Sequence, residues 1–165
     1  MVTFISHSPA QTESLGEEWG RCAAPGLVIG LSGDLGTGKT QLVKGFARGL
    51  GITSRVHSPT FALINIYEGS RLSLFHLDLY RLDNREQIIA AGLEEYLSPG
   101  RQPQGVTVVE WAEKWFVPEF LTLRKTQDAT RPAPAPLRPV TRLCLALLET
   151  VDPATRRISY EDIGD

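Results

Sequence analysis

Apolar residues recur along this chain with two different periods, and each change of period marks an element. Leu15, Trp19, Cys22 and Ala23 fall at helical spacing. Ahead of them Ser8-Pro9-Ala10-Gln11 reads as a helix start, with Ser8 as the cap, Pro9 at the first helical position and Gln11 completing a capping box. Pro25-Gly26 ends that helix. Leu27 to Leu31 is then almost continuously apolar, the signature of a strand covered on both faces, as in a parallel sheet. After a glycine-rich stretch the helical period returns in Leu42, Val43, Phe46, Ala47 and Leu50, with Gly49 and Gly51 as the stop. Thr60 to Tyr67 and Leu72 to Leu79 read as two strands joined by a turn at Glu68-Gly69-Ser70-Arg71, an antiparallel pair. Asp83 to Glu86 resembles another capped start, opening a helix toward Gly92, and Val106 to Val109 is a second buried-strand run that ends at Glu110. Leu121 to Arg124, Val140 to Leu148 and Arg157 to Tyr160 read as strands. Residues 125–139, with four prolines among 131–139, read as an exposed loop or insert, since proline cannot donate to a central ladder.

The glycine-rich stretch is Gly33-Asp34-Leu35-Gly36-Thr37-Gly38-Lys39-Thr40, set between a buried strand and a helix. This is the full P-loop pattern in the context that gives it meaning. Glycines let successive backbone N–H groups turn inward, and with the positive end of the helix they cradle a phosphate. Lys39 brings a point charge to the β and γ oxygens, and the Thr40 hydroxyl ligates the Mg²⁺ that bridges them. Two acids stand at the ends of apolar strands: Glu110, where a metal-holding carboxylate of such folds sits, and Asp78 in His76-Leu77-Asp78. Asp78 either holds a metal-bound water or orients the attacking one. His57-Ser58-Pro59-Thr60-Phe61 presents two hydroxyls on a stiffened loop, the chemistry of a γ-phosphate sensor. His57, His76 and Asp78 could alternatively mimic a two-histidine, one-carboxylate iron site, though the spacing is generic.

Composition narrows the setting. The 165 residues are enough for one domain. With 17 Lys and Arg against 19 Asp and Glu, the net charge of −2 argues against a general polyanion binder, DNA included. No apolar run of about 18 residues occurs, so no membrane span is expected. Met1 to Pro9 lacks the layout of a secretory leader, which points to the cytoplasm. Cys22 and Cys144 stand far apart and are expected to be buried free thiols. Arg156 and Arg157 read as part of a solvated face.

Four segments in this order, SGDLGTGKT, HSPTF, HLDLYRL and VVEWAE, resemble the TsaE (YjeE) family over about Ser8 to Phe120. The resemblance implies an α/β fold: a single-domain P-loop nucleotide-binding fold with a mixed, mainly parallel central sheet. It implies a slow ATPase that uses ATP and Mg²⁺ and joins TsaB and TsaD in threonylcarbamoylation of the anticodon-adjacent adenosine of tRNA, resetting that complex by hydrolysis. By the same likeness the nucleotide falls on Leu35, Gly36, Thr37, Gly38, Lys39, Thr40, Gln41 and Thr60, the metal on Thr40 and Glu110, and catalysis on Lys39, Asp78 and Glu110. Trp111, beside the acid, also matches, whereas 131–139 has no counterpart. The competing reading is a small-molecule P-loop kinase, against which stands the lack of an arginine-rich lid in the middle of the chain.

Overall fold

Val28–Ser32 forms strand β2, and every residue in it is buried. Its side chains alternate between two apolar clusters, Ile29 and Leu31 in one and Val28 in the other. This is the burial that a continuous apolar run predicts. The structure, a computed structural model, describes residues 1–125, 131–132 (backbone only) and 142–163. In chain order the remaining strands are β1 Val2–Ser6, β3 Ile64–Tyr67, β4 Ser73–Asp78, β5 Gly105–Glu110, β6 Arg131–Pro132, β7 Leu143–Thr150 and β8 Arg156–Asp162. The helices are α1 Pro9–Cys22, α2 Lys39–Gly49, α3 Arg85–Ala90 and α4 Val117–Lys125.

The strands make one mixed sheet in the order β3-β4-β5-β2-β7-β8-β1-β6. Its centre, β4-β5-β2-β7, is parallel throughout, and β3, β8 and β1 join antiparallel. The expected mixed, mainly parallel central sheet is therefore present. One face carries α1 and α2 over Ile29, Leu31, Val106, Val108, Cys144 and Ala146. The other carries Ile88 of α3 and Phe120 and Leu123 of α4 over Val109, Leu145 and Leu147. Among the described residues no helix is long and apolar enough to cross a membrane.

Local signals place both long helices. The Ser8 hydroxyl accepts from the Gln11 amide, while the Gln11 side chain accepts from the His7 amide. All five residues of the α2 stripe are buried. Several expectations are corrected. Cys22 is exposed; the face of α1 is completed instead by Gly16 and Gly20, where the α2 backbone passes too close for a Cβ. Gly49 is the last residue of α2, not its stop; it packs against Gly20, and Gly51, at φ 79°, turns the chain. Strand β3 begins at Ile64 rather than Thr60, and residues 60–63 are a turn. The third helix is capped by Asn84, whose side chain accepts from the Gln87 amide, one residue later than expected. Leu121 to Arg124 is helix, not strand, because Phe120 and Leu123 bury on one face at helical spacing. Strand β1 has no counterpart in the sequence reading. Of the expected loop 125–139, Lys125 is the last residue of α4, residues 126–130 and 133–139 lie outside the described residues, and Arg131 and Pro132 pair with Val2 and Thr3 at the sheet edge.

Candidate functional site

Strands β2, β4 and β5 are parallel neighbours, so their C-terminal ends open on the same side. Register sets Asp78 directly across from Glu110, and Glu110 across from Leu31, one residue before the glycine loop begins at Ser32-Gly33. Three segments remote in sequence thus meet at one sheet edge, the usual ligand position in parallel α/β sheets.

The loop enters α2 through Gly38, at φ 96°, a backbone that side chains other than glycine rarely adopt. Among the described residues no side chain caps this helix start. Its N–H groups and the positive end of its dipole are left to an anion. Lys39 is buried and folds back on the loop: Nζ donates to the carbonyls of Gly33 at 2.6 Å and Asp34 at 2.9 Å. Burial pushes the Lys39 pKa below the ordinary lysine value, and the negative charges of Glu110, Glu113, Asp78 and Asp34 pull it partly back.

The Thr40 hydroxyl donates to the Glu110 carboxylate, 2.8 Å from Oε1 and 3.1 Å from Oε2. His76 Nε2 reaches the same Oε1 at 2.9 Å. Asp78 serves a second cluster: its Oδ2 accepts from the hydroxyls of Ser58 at 2.7 Å and Thr60 at 2.9 Å, while its Oδ1 accepts from the Tyr80 amide. Past Glu110 the chain turns sharply at Trp111, whose φ of 60° is uncommon for a bulky side chain. That turn lays the indole 4.2 Å from Lys39 Nζ. Tyr80 stacks against the indole, and Lys114 donates to the carbonyls of Leu79, Tyr80 and Leu82, fixing the turn that carries Tyr80. The result is a cleft of about 380 Å³ whose walls include Gly38, Lys39, Thr40, Thr60, Asp78 and Glu110.

A family model described as "Threonylcarbamoyl adenosine biosynthesis protein TsaE" matches residues 6–133. The chain belongs to the TsaE family. The match extends past Phe120, where the resemblance read from the sequence stopped. A Bacillus subtilis protein named "tRNA threonylcarbamoyladenosine biosynthesis protein TsaE" is 45% identical over 105 residues, 64% of this chain and 63% of its own length. A Treponema pallidum protein of the same name is 39% identical over 132 residues, 77% of this chain and 94% of its own. The chain thus spans under two thirds of the Bacillus relative and nearly all of the Treponema one. The crystal structure of Bacillus subtilis YdiB superposes on 99% of this chain and 86% of its own, with a TM-score of 0.66 at 29% identity.

Within this TsaE-family fold the residues assigned from the sequence to nucleotide, metal or catalysis converge on the cleft, with one exception. Leu35, Gly36, Gly38, Lys39, Thr40, Gln41, Thr60, Asp78 and Glu110 all border it. Thr37 does not: it is buried, and its hydroxyl donates to the Asp34 carbonyl, bracing the loop from behind. The Gln41 side chain is engaged by Glu13 of α1. The iron-site alternative fails geometrically. His57 is exposed and near Asn65, and among the described residues no group of three His, Cys, Asp or Glu side chains is arranged to hold a metal. Arg156 is not simply a solvated arginine, since it donates to the Gly36 carbonyl at 3.3 Å. The sequence reading missed Lys114 and the partner of His76. Strand alternation puts His76 on the face of Asp78, but its partner Glu110 lies on another strand and is set by the register of β4 on β5.

Proposed function

We propose that this chain binds ATP with Mg²⁺ in the cleft, hydrolyses it slowly alone, and acts in the cytoplasm with TsaB- and TsaD-type partners. In that reading the assembled complex threonylcarbamoylates the anticodon-adjacent adenosine of tRNA, and ATP turnover resets it; tRNA is met through the partners. The observation that carries the nucleotide part is the Thr40 hydroxyl on the Glu110 carboxylate beside the buried Lys39. A hydroxyl and a carboxylate are hard oxygen donors, and Mg²⁺ is ordinarily held by one or two carboxylates together with substrate phosphates. The residues present fit that ion, and Thr40 and Glu110 would hold it. Mg²⁺ bound there would neutralise phosphate charge and supply Lewis-acid polarisation of a phosphoryl oxygen.

The chain's own groups do the rest. The uncapped N–H groups at the start of α2 receive phosphate oxygens. Lys39 exchanges the carbonyls of Gly33 and Asp34 for those oxygens, trading neutral acceptors for charged ones. Asp78 holds Ser58 and Thr60 at the cleft wall, so the 58–61 segment responds to the γ-phosphate and Asp78 serves turnover more than affinity. The partner part of the proposal rests on family membership and on the names of the relatives.

The test is recovery of partners on the tagged chain from native bacterial extract, with and without ATP, beside ADP release by the purified chain. Capture of the TsaB–TsaD pair and Mg²⁺-dependent ADP release support the proposal. ADP release that occurs only when a small acceptor is added replaces it with the kinase reading.

A further inference from the structure

His76 is wholly buried on β4, and its ring is bonded to Glu110, which lies on the neighbouring strand. Parallel register pairs His76 with Val108 and Asp78 with Glu110, so the imidazole reaches forward along the sheet to the carboxylate. Glu110 is itself almost fully buried. Two groups from two different elements therefore fix it: Thr40 from the start of α2 and His76 from β4. An ionised carboxylate only accepts, so the shared hydrogen belongs on Nε2. Nε2 therefore carries the hydrogen that is directed at Glu110 Oε1. His76 Nδ1 is buried with no hydrogen-bond partner among the described residues.

We propose that His76 is a positioning residue. Its Nε2–H holds one oxygen of Glu110 so that the carboxylate, together with the Thr40 hydroxyl, is presented to the divalent cation that accompanies the nucleotide. The inference rests on the nucleotide reading given above. Groups that orient a metal-holding side chain commonly govern metal affinity without touching the metal. A histidine that only fills space would leave that affinity alone.

The purified full chain is titrated with Mn²⁺ in place of Mg²⁺, free Mn²⁺ being followed by electron paramagnetic resonance, in the presence of a non-hydrolysable ATP analogue. Affinity for the analogue alone is measured separately in EDTA. His76→Leu fills the space without a donor. His76→Gln carries an amide N–H at about the reach of imidazole Nε2, whereas the shorter His76→Asn stops short of it. The expected result is Mn²⁺ affinity lowered roughly 10- to 100-fold in His76→Leu, with analogue affinity in EDTA unchanged. His76→Gln recovers most of the loss and His76→Asn does not. Should His76→Leu fail to fold, the contrast between Gln and Asn carries the test. Equal Mn²⁺ affinity in His76→Leu and the unaltered chain overturns the inference. So does equal impairment of the Gln and Asn variants. Absence of analogue-dependent Mn²⁺ uptake by the unaltered chain overturns the nucleotide reading and this inference with it, whereas normal uptake with an unaffected Leu variant overturns this inference alone.

Discussion

The ammonium of Lys39 lies 4.2 Å from the centre of the Trp111 ring. Its hydrogens meanwhile go to the carbonyls of Gly33 and Asp34, so the cation of the phosphate loop is held by the loop itself and roofed by an indole. The hydrogen-bond partners are neutral acceptors, which an anion readily displaces.

Lys39→Ala is expected to abolish useful ATP turnover while the chain stays folded. Loss of one preorganised donor at a developing charge costs on the order of 3–4 kcal/mol, roughly 10²- to 10³-fold in rate. Single-turnover hydrolysis beside far-UV circular dichroism checks both halves. Wild-type ATPase in this variant contradicts the role given to Lys39.

The segment 58–61 is tied to the cleft by two hydroxyls on one oxygen of Asp78. Its amides are expected to exchange more slowly with a non-hydrolysable ATP analogue than with ADP. Hydrogen exchange read peptide by peptide measures this, and identical protection in the two states removes the idea of a sensor.

Glu110 and Asp78 face each other across β4 and β5 but hold different partners. Glu110→Gln is expected to weaken Mg²⁺-dependent ATP binding and hydrolysis together, whereas Asp78→Asn lowers hydrolysis and leaves affinity nearly intact. A fluorescent ATP analogue titrated with and without Mg²⁺ separates them. The reverse pattern exchanges the two roles.

The thiols are unequal. Cys22 is exposed, while Cys144 is sealed in the sheet, where burial and then the negative charge of Asp162 push its pKa well above the ordinary thiol value. A thiol reagent at neutral pH should therefore label one cysteine in the native chain and two after unfolding. Rapid labelling of both in the native chain would show that β7 opens easily.

Gly45 sits where α1 and α2 touch, and a Cβ there would overlap the carbonyl of Glu13. Gly45→Ala should destabilise the chain by about 1–3 kcal/mol despite the better helix propensity of alanine. That is a Tm loss of roughly 2–4 °C per kcal/mol for a chain of this size, visible by calorimetry.

What was legible in the residue order is what short-range chemistry specifies. The Ser8–Gln11 cap lies within one turn. The α2 stripe and the runs that became β2 and β5 declare themselves through period and burial, and the glycine loop is set between strand and helix by its own backbone needs. The acids at the strand ends were equally visible, since each follows a mainly apolar run, although the structure buries both.

Tertiary structure decided the rest. Strand β1 is half exposed, and its partner β8 lies some 150 residues later, so no local pattern announces it. Leu121 to Arg124 carries strand-like residues and became helix because Phe120 and Leu123 had a sheet face to cover. The meeting of Thr40, His76 and Glu110 spans separations of 70 and 34 residues. It depends on the register of β4 on β5, and register is a property of inter-strand hydrogen bonds that neither strand carries alone.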